Sequence, residues 1–448
     1  MNTSPSAASA AARAHGLRDR LPPGGLFADQ EWRTATEPFP LDASFARELE
    51  SLGRVLLQFY RAANLLYRHS VEGRQPGWVA EWLDRGKPGP ILDLQRHRAF
   101  RHDLPRVIRP DILLTEAGFA ITELDSVPGG IGLTDWLHRH YAETAADGEP
   151  SLVGGPDGMR QGFAGIFGDA PRVHLVVSEE SSSYRPEMAW LGAELGNDRF
   201  QVQPGDFDAP APGDAVYRFF ELFDLEGVPG ATRLFAQATA GSVRLTPPPK
   251  AFLEEKALLA LLWNRNLAAF WRRELGDGFL RRLQQHVPYS WFVDPAPLPP
   301  HGAVPGLDLT DWHQLKGLSQ KERALILKPS GFSPEAWGAR GVSLGSDLSV
   351  ADWSQAVDRA LADAGRSPWV LQRYHKPRRV TARWFDFERN EARTMEGRVR
   401  LCPYYFVRGD GDTARARLGG VLATVCPADK KIIHGMREAI LAPCVIRP

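Results

Sequence analysis

Apolar residues recur three and four apart through "LDASFARELESLGRVLLQFYRAANLLYRHS" (41–70), and this spacing predicts one long amphipathic helix. The pattern then shortens. "RPDILLT" and "FAITELD" read as two apolar strands, about 109–115 and 118–124, joined by a turn at Glu116–Gly118; Pro128, Gly129 and Gly130 end the pattern before a helix over about 133–145. From 172 the texture alternates: "RVHLVVS" is a buried strand, "SYRPEMAWLGAEL" a helix and "RFQVQPGDF" a strand, and "AVYRFFELFDL" and a helix after "GVPG" continue the series. Such repetition predicts an α/β domain with a parallel sheet. "TPPPK" (246–250) marks a linker, followed by a helix over 251–273, a poorly defined stretch over 286–322 and the strand "RALILKPS". A glycine-containing loop and a helix over 350–364 come next. "PWVLQRYH", "RRVTARWFDF", "GRVRLCPYYFV" and "LGGVLATVC" make the last hundred residues rich in strands.

Composition narrows the possibilities. With 448 residues, 43% hydrophobic and 10% aromatic, the chain can bury a large core, enough for two or three domains. Lysine plus arginine (54) equals aspartate plus glutamate (54), so no positive field holds a nucleic acid or an anionic membrane. The longest apolar runs, such as "ALLALLW" (257–263), fall far short of the roughly 20 residues that span a bilayer. "MNTSPSAASAAARAHG" has no basic residue ahead of an apolar core, so a disordered or loosely packed leader over 1–40 is expected rather than a secretion signal, and the cytoplasm is the expected compartment. Cys402, Cys426 and Cys444 lack C-x-x-C spacing, which argues against a disulfide framework or a zinc site.

The hairpin carries the candidate chemistry. Side chains two apart on a strand share a face, so Glu123 points with Asp125 and Arg109 with Asp111. Converging carboxylates repel unless a cation neutralises them, and hard oxygen ligands suit magnesium shared with nucleotide phosphates; an arginine beside them could hold a phosphate oxygen. The same spacing fits an exposed hairpin with its acids on the wet side. Lys256 in "EEKALLALLW" and Lys328 in "LILKPSG" stand in apolar company and could meet an anion, although each alone also fits a surface lysine with a buried stem. The loop "SGFSPEAWGARGVSLG" (330–345) could lay backbone N–H groups over phosphates, but it is not a Walker loop.

Together these stretches resemble the ATP-grasp ligases, and in particular the circularly permuted branch typified by the synthetase domain of glutathionylspermidine synthase. In that family R-x-D precedes E-x-N by the spacing seen here at Arg109, Asp111, Glu123 and Asp125. "EKALLALLW" is similar to the segment carrying the family's first ATP lysine, here Lys256; "LKPSGFSPEAWGARG" carries over Lys328, Gly338, Arg340 and Gly341; "VLQRYHKP" puts Gln372 near the adenine. The acids precede both lysines, as the permuted branch requires. The resemblance implies an α/β fold of ATP-grasp type in permuted order, with a Rossmann-like α/β substrate domain ahead of the lobes. It divides the chain into 41–150 with the metal-binding hairpin, a domain at 151–250 resembling the one that precedes the grasp lobes, and lobes at 251–448. It implies ATP and Mg2+, Arg109 as catalytic contact to the terminal phosphate, Asp111, Glu123 and Asp125 as metal ligands, and small-molecule carboxylate and amine substrates. Arg218 and Arg417 are the candidate substrate contacts, with Arg415 a competing choice for the latter. Asp125 stands where the family has asparagine, and the 330–345 loop is longer than the family's.

The implied activity is an ATP-dependent carboxylate–amine ligase working through an acylphosphate. The competing reading is a catalytically inactive nucleotide-binding partner protein of the same fold, favoured by Asp125 and the altered loop. A dinucleotide-dependent oxidoreductase is disfavoured, because "VSEESSS" stands where G-x-G-x-x-G would follow the strand at 172–178.

Overall fold

The hairpin strands Val107–Thr115 and Gly118–Asp125 pair antiparallel, and the first also pairs with the long strand Glu391–Arg408. They belong to an eight-stranded sheet in the computed structural model, which describes residues 7–145, 148–336, 340–433 and 435–447. The sheet runs in the order Arg33–Thr34, Ile440–Arg447, Arg415–Pro427, Glu391–Arg408, Val107–Thr115, Gly118–Asp125, with Arg379–Asp386 on the long strand and Phe39–Asp42 on Ile440–Arg447. Val107, Ile108, Ile112, Val399, Leu401 and Phe406 are fully buried, each contributing roughly 1.5–3 kcal/mol of burial.

The chain divides into two compact units, one made of 1–58, 97–248 and 377–448, the other of 59–96 and 249–376. Beside the large sheet, the first unit holds a second, fully parallel sheet in the order Phe200–Gln203, Val173–Val177, Ala215–Phe219, Arg244–Thr246. Every residue of its two central strands is buried, as a parallel sheet covered on both faces requires. The fold is mixed α/β.

The described part of the expected leader, 7–40, is structured. Helix Ala7–Asp19 buries Ala10, Ala14 and Leu17 at i, i+4 and i+7, and its Arg13 pairs with Glu149 at 2.9 Å. Alanines carry this contact, so the segment packs closely at low side-chain entropy cost while its composition looks merely small and polar.

In the second unit, four antiparallel strands run in the order Ser343–Leu344, Leu325–Pro329, Trp369–Arg373, Ser290–Phe292. Helix Val350–Asp363, capped by Ser349 Oγ accepting from the Asp352 N–H at 3.1 Å, packs Trp353, Val357 and Leu361 into a core with Trp291, Leu327, Trp369 and Leu371. The single helix expected over 251–273 is instead a series of short pieces: a 3-10 turn at Ala251–Glu254, a helix at Ala257–Trp263, a second turn, then helix Ala268–His286. Asn264 makes the second break by accepting from the Asn266 N–H at 3.0 Å. The first break leaves Glu255 and Lys256 on a bend. No helix among the described residues is long and apolar enough to cross a membrane.

Candidate active site

Hairpin register decides which of the acids meet. Asp111 lies opposite Glu123 and Arg109 opposite Asp125, with an irregularity in pairing just after Asp111. Arg109 Nη2 pairs with Asp125 Oδ2 at 2.9 Å, and its Nε approaches Asp111 Oδ1 at 3.4 Å. Asp125 Oδ1 also accepts the Val127 N–H at 2.9 Å. From the neighbouring strand, Arg400 Nη1 donates to Asp111 Oδ2 at 3.2 Å, and the Cys402 thiol lies 3.6 Å from Asp111 Oδ1. Thus Asp111 sits between two guanidinium groups, and Asp125 is engaged by a third-residue backbone turn and an arginine. Among the described residues no three acids, histidines or cysteines gather as a metal cluster.

Burial sets the electrostatics here. It opposes the Arg109 charge, but Asp125 and then Asp111 more than offset it and hold the guanidinium pKa well above its ordinary value. Burial pushes the Asp125 carboxyl upward against the pull of Arg109. The Cys402 thiol is pushed up to about 11, chiefly by burial, so it is no nucleophile at neutral pH.

A glycine turn frames the same corner. The Gly129 carbonyl accepts from Arg109 Nη1 at 3.1 Å and from the Tyr404 hydroxyl at 2.8 Å. A Cβ on Gly129 would lie 2.0 Å from the Tyr184 ring, so only glycine lets that aromatic approach. Buried Glu187 accepts the N–H groups of Gly130 at 2.7 Å and Leu133 at 3.0 Å, capping helix Ile131–Glu143 at the positive end of its dipole. Burial nevertheless pushes the Glu187 carboxyl up to about 7.

In the second unit the strand pairing brings Lys328 and Gln372 together. Lys328 stands opposite Val370 and Gln372 opposite Ser290, so all three polar side chains share one face of the sheet. Lys328 Nζ donates to Gln372 Oε1 at 3.1 Å, Gln372 Nε2 donates to Ser290 Oγ at 3.0 Å, and Ser290 Oγ donates to the Pro288 carbonyl at 2.9 Å. All three residues are buried. Lys256, also buried, donates from Nζ to the Ala336 carbonyl at 2.9 Å and so reaches into the 330–345 loop. Gly341 closes that loop, its N–H donating to the Glu335 carbonyl at 2.9 Å, and Arg340 is exposed there. Gly338 lies outside the described residues.

With this geometry in view, comparison with known proteins adds the fold. No protein-family model matches the chain, and no curated protein matches it in sequence. A glutathione synthetase-like effector from Globodera pallida, solved in its apo form, matches 98% of this chain and 96% of its own, with a TM-score of 0.57 and 12% identity. The chain shares that protein's fold. A provisionally assigned γ-glutamylcysteine synthetase from Methylobacillus flagellatus KT matches 86% of this chain and 87% of its own at 12% identity, with a TM-score of 0.36, too low to carry an argument.

The hairpin thus brings Arg109, Asp111, Glu123 and Asp125 together in the first unit, and strand pairing brings Lys328 to Gln372 in the second, where Lys256 reaches the 330–345 loop instead of that pair. The two expected substrate arginines differ in their surroundings. Arg218 is fully buried at the end of strand Ala215–Phe219, donating to the carbonyls of Phe220 and Pro247. Arg417 is exposed and pairs in register with Phe406, toward the Val107 end of the sheet rather than beside Asp111. Sequence reading missed Arg400, Ser290 and Glu187. For Arg400 a signal existed: it is a charge inside "GRVRLCPYYFV", between the buried residues Val399 and Leu401.

Proposed function

We propose that this chain is an ATP-dependent carboxylate–amine ligase that forms an amide bond through an acylphosphate, releasing ADP and phosphate. The observation that carries the reading is the buried, hydrogen-bonded pair Lys328–Gln372, on the sheet from which the glycine-containing loop springs, with Lys256 reaching into that loop. Lys256 and Lys328 are assigned to the phosphates of ATP, Gln372 to the adenine, Gly338, Arg340 and Gly341 to the covering loop, and Arg109 to the terminal phosphate. The order of acids before lysines supports the permuted ATP-grasp arrangement, and the parallel sheet over 173–246 is read as its Rossmann-like substrate domain. Arg417 is exposed and so remains the candidate contact for a substrate carboxylate, while Arg218, buried against backbone carbonyls, is assigned to shaping that domain.

A magnesium ion carried by nucleotide phosphates takes only one or two carboxylates, so Asp111 and Glu123, opposite each other in register, fit it. When bound, the ion supplies charge neutralisation at the β- and γ-phosphates. Asp125 is assigned to holding Arg109, narrowing the metal set expected from the sequence. In the reaction a substrate carboxylate oxygen attacks the γ-phosphorus, and the bond to ADP breaks with its electron pair leaving on ADP. An amine nitrogen then attacks the acyl carbon, phosphate departs, and the nitrogen gives up its proton. The residues orient the phosphates and offset their charge, which is the main protein contribution to phosphoryl transfer; no side-chain nucleophile is required.

One observation favours a second reading, a nucleotide-binding partner without turnover: Arg109 is tied to Asp125, and Asp111 is held between Arg109 and Arg400. Incubation with ATP, magnesium and pooled carboxylates and amines separates the two. ADP that disappears in Asp111→Ala and Lys328→Ala supports the ligase. ATP bound without turnover in every mixture supports the partner, and AMP as product would contradict the acylphosphate route.

A further inference from the structure

The bend at Glu255–Lys256 contains an ion pair that the assigned site residues leave unexplained. Glu255 Oε1 pairs with the Lys87 ammonium, and both side chains are completely withdrawn from solvent. Burying two charges costs desolvation free energy, and an apolar pair of the same volume often serves stability as well or better. What an apolar pair could not do is accept a hydrogen bond. Glu255 Oε2 accepts the Gly331 N–H at 2.8 Å, and one residue earlier Ser330 Oγ accepts the Ala257 N–H at 3.0 Å. The root of the 330–345 loop is thus fastened at two consecutive residues to the turn that carries Lys256. The fit is close: a Cβ on Gly331 would lie 2.3 Å from the Glu254 carbonyl oxygen. Phe332, next in the loop, places its ring 5.6 Å from Lys87 Nζ.

We propose that Glu255, held by Lys87, is a positioning residue for the nucleotide: it fixes the loop root relative to Lys256, so that loop amides and lysine ammonium meet the phosphates in a set geometry. This rests on the ATP-binding reading above. A charge-assisted hydrogen bond of this kind, when lost, translates into weakening of roughly 10- to 100-fold in whatever it positions.

The test compares the full-length protein with Glu255→Gln, Lys87→Met and the double variant Lys87→Met/Glu255→Leu, reading MgATP affinity by calorimetry, thermal midpoint, and amide hydrogen exchange over 330–336. Single changes leave a buried charge or half a pair and are expected to lower the midpoint. Removing both charges is expected to recover part of the midpoint, the Gly331 N–H having lost its acceptor, yet to leave MgATP binding weakened by roughly 10- to 100-fold and exchange at Gly331 and Phe332 accelerated. A double variant that binds MgATP as tightly as the unaltered protein would overturn the anchor and leave an ion pair of purely structural role. If the unaltered protein binds no MgATP, the nucleotide reading itself fails and this role with it.

Discussion

Lys328 is the residue on which the nucleotide reading is most exposed. Lys328→Met removes the ammonium, keeps the stem, and leaves Gln372 Oε1 without that donor, so we expect ATP affinity to fall at least tenfold with a stability loss of about 1–3 kcal/mol, read by calorimetry and denaturant unfolding. Glu187 makes a prediction independent of ligand. Burial raises its carboxyl to about 7 from an ordinary 4.5, and Asp135 is raised likewise from 3.8 to about 7, again by burial against the pull of Arg160. Between those limits the folded chain keeps protons that the unfolded chain has released. The stability these two groups contribute therefore falls as pH rises from about 4.5 to 7, by at most about 1.4 kcal/mol per pH unit for each group, and levels off above 7. Glu187→Gln should remove about half of that slope in urea melts at pH 5, 6, 7 and 8; an unchanged slope would place the raised group elsewhere. At this scale local sequence context was enough to single out Arg109, Asp111, Glu123, Lys256, Lys328 and Gln372 as candidates. Arg400 and Glu255 were not, because their importance comes from partners brought by strand pairing and a helix break, Asp111 for one and Lys87 and Gly331 for the other.

Among the elements, helices with a wide apolar stripe were the most readable: the long helix expected over 41–70 spans Ala43–Val71, and the one expected over 350–364 spans Val350–Asp363. Strand Ile440–Arg447 escaped notice because its first six residues are all buried and do not alternate, and its place is set by pairing with Arg415–Pro427 and the short strand Phe39–Asp42. The break at Glu255–Lys256 was invisible for a related reason, since apolar spacing continues through it. Two substitutions test the elements. Ser349→Ala should destabilise helix Val350–Asp363 by about 1 kcal/mol while leaving ATP affinity unchanged, which makes it a control for the site variants. Gly129→Ala drives a methyl group into the Tyr184 ring and shifts the carbonyl that Arg109 and Tyr404 share, with an expected cost of about 1–3 kcal/mol in denaturant unfolding.

For the whole molecule, the alternation from 172 onward announced the parallel sheet. The division into two units of interleaved segments was not legible, since it depends on which distant strands pair: Val107–Thr115 joins Glu391–Arg408, while 59–96 belongs with 249–376. The acids lie in the first unit and the lysines in the second, and the main proposal is that turnover needs both sets. Its most direct test supplies ATP, magnesium, pooled carboxylates and hydroxylamine as the amine, then quantifies nucleotide products and hydroxamate. ADP and hydroxamate are expected in equal amounts, with both abolished by Asp111→Ala in the first unit and by Lys328→Met in the second. AMP and pyrophosphate in place of ADP, or ADP formation indifferent to either substitution, would contradict the proposal.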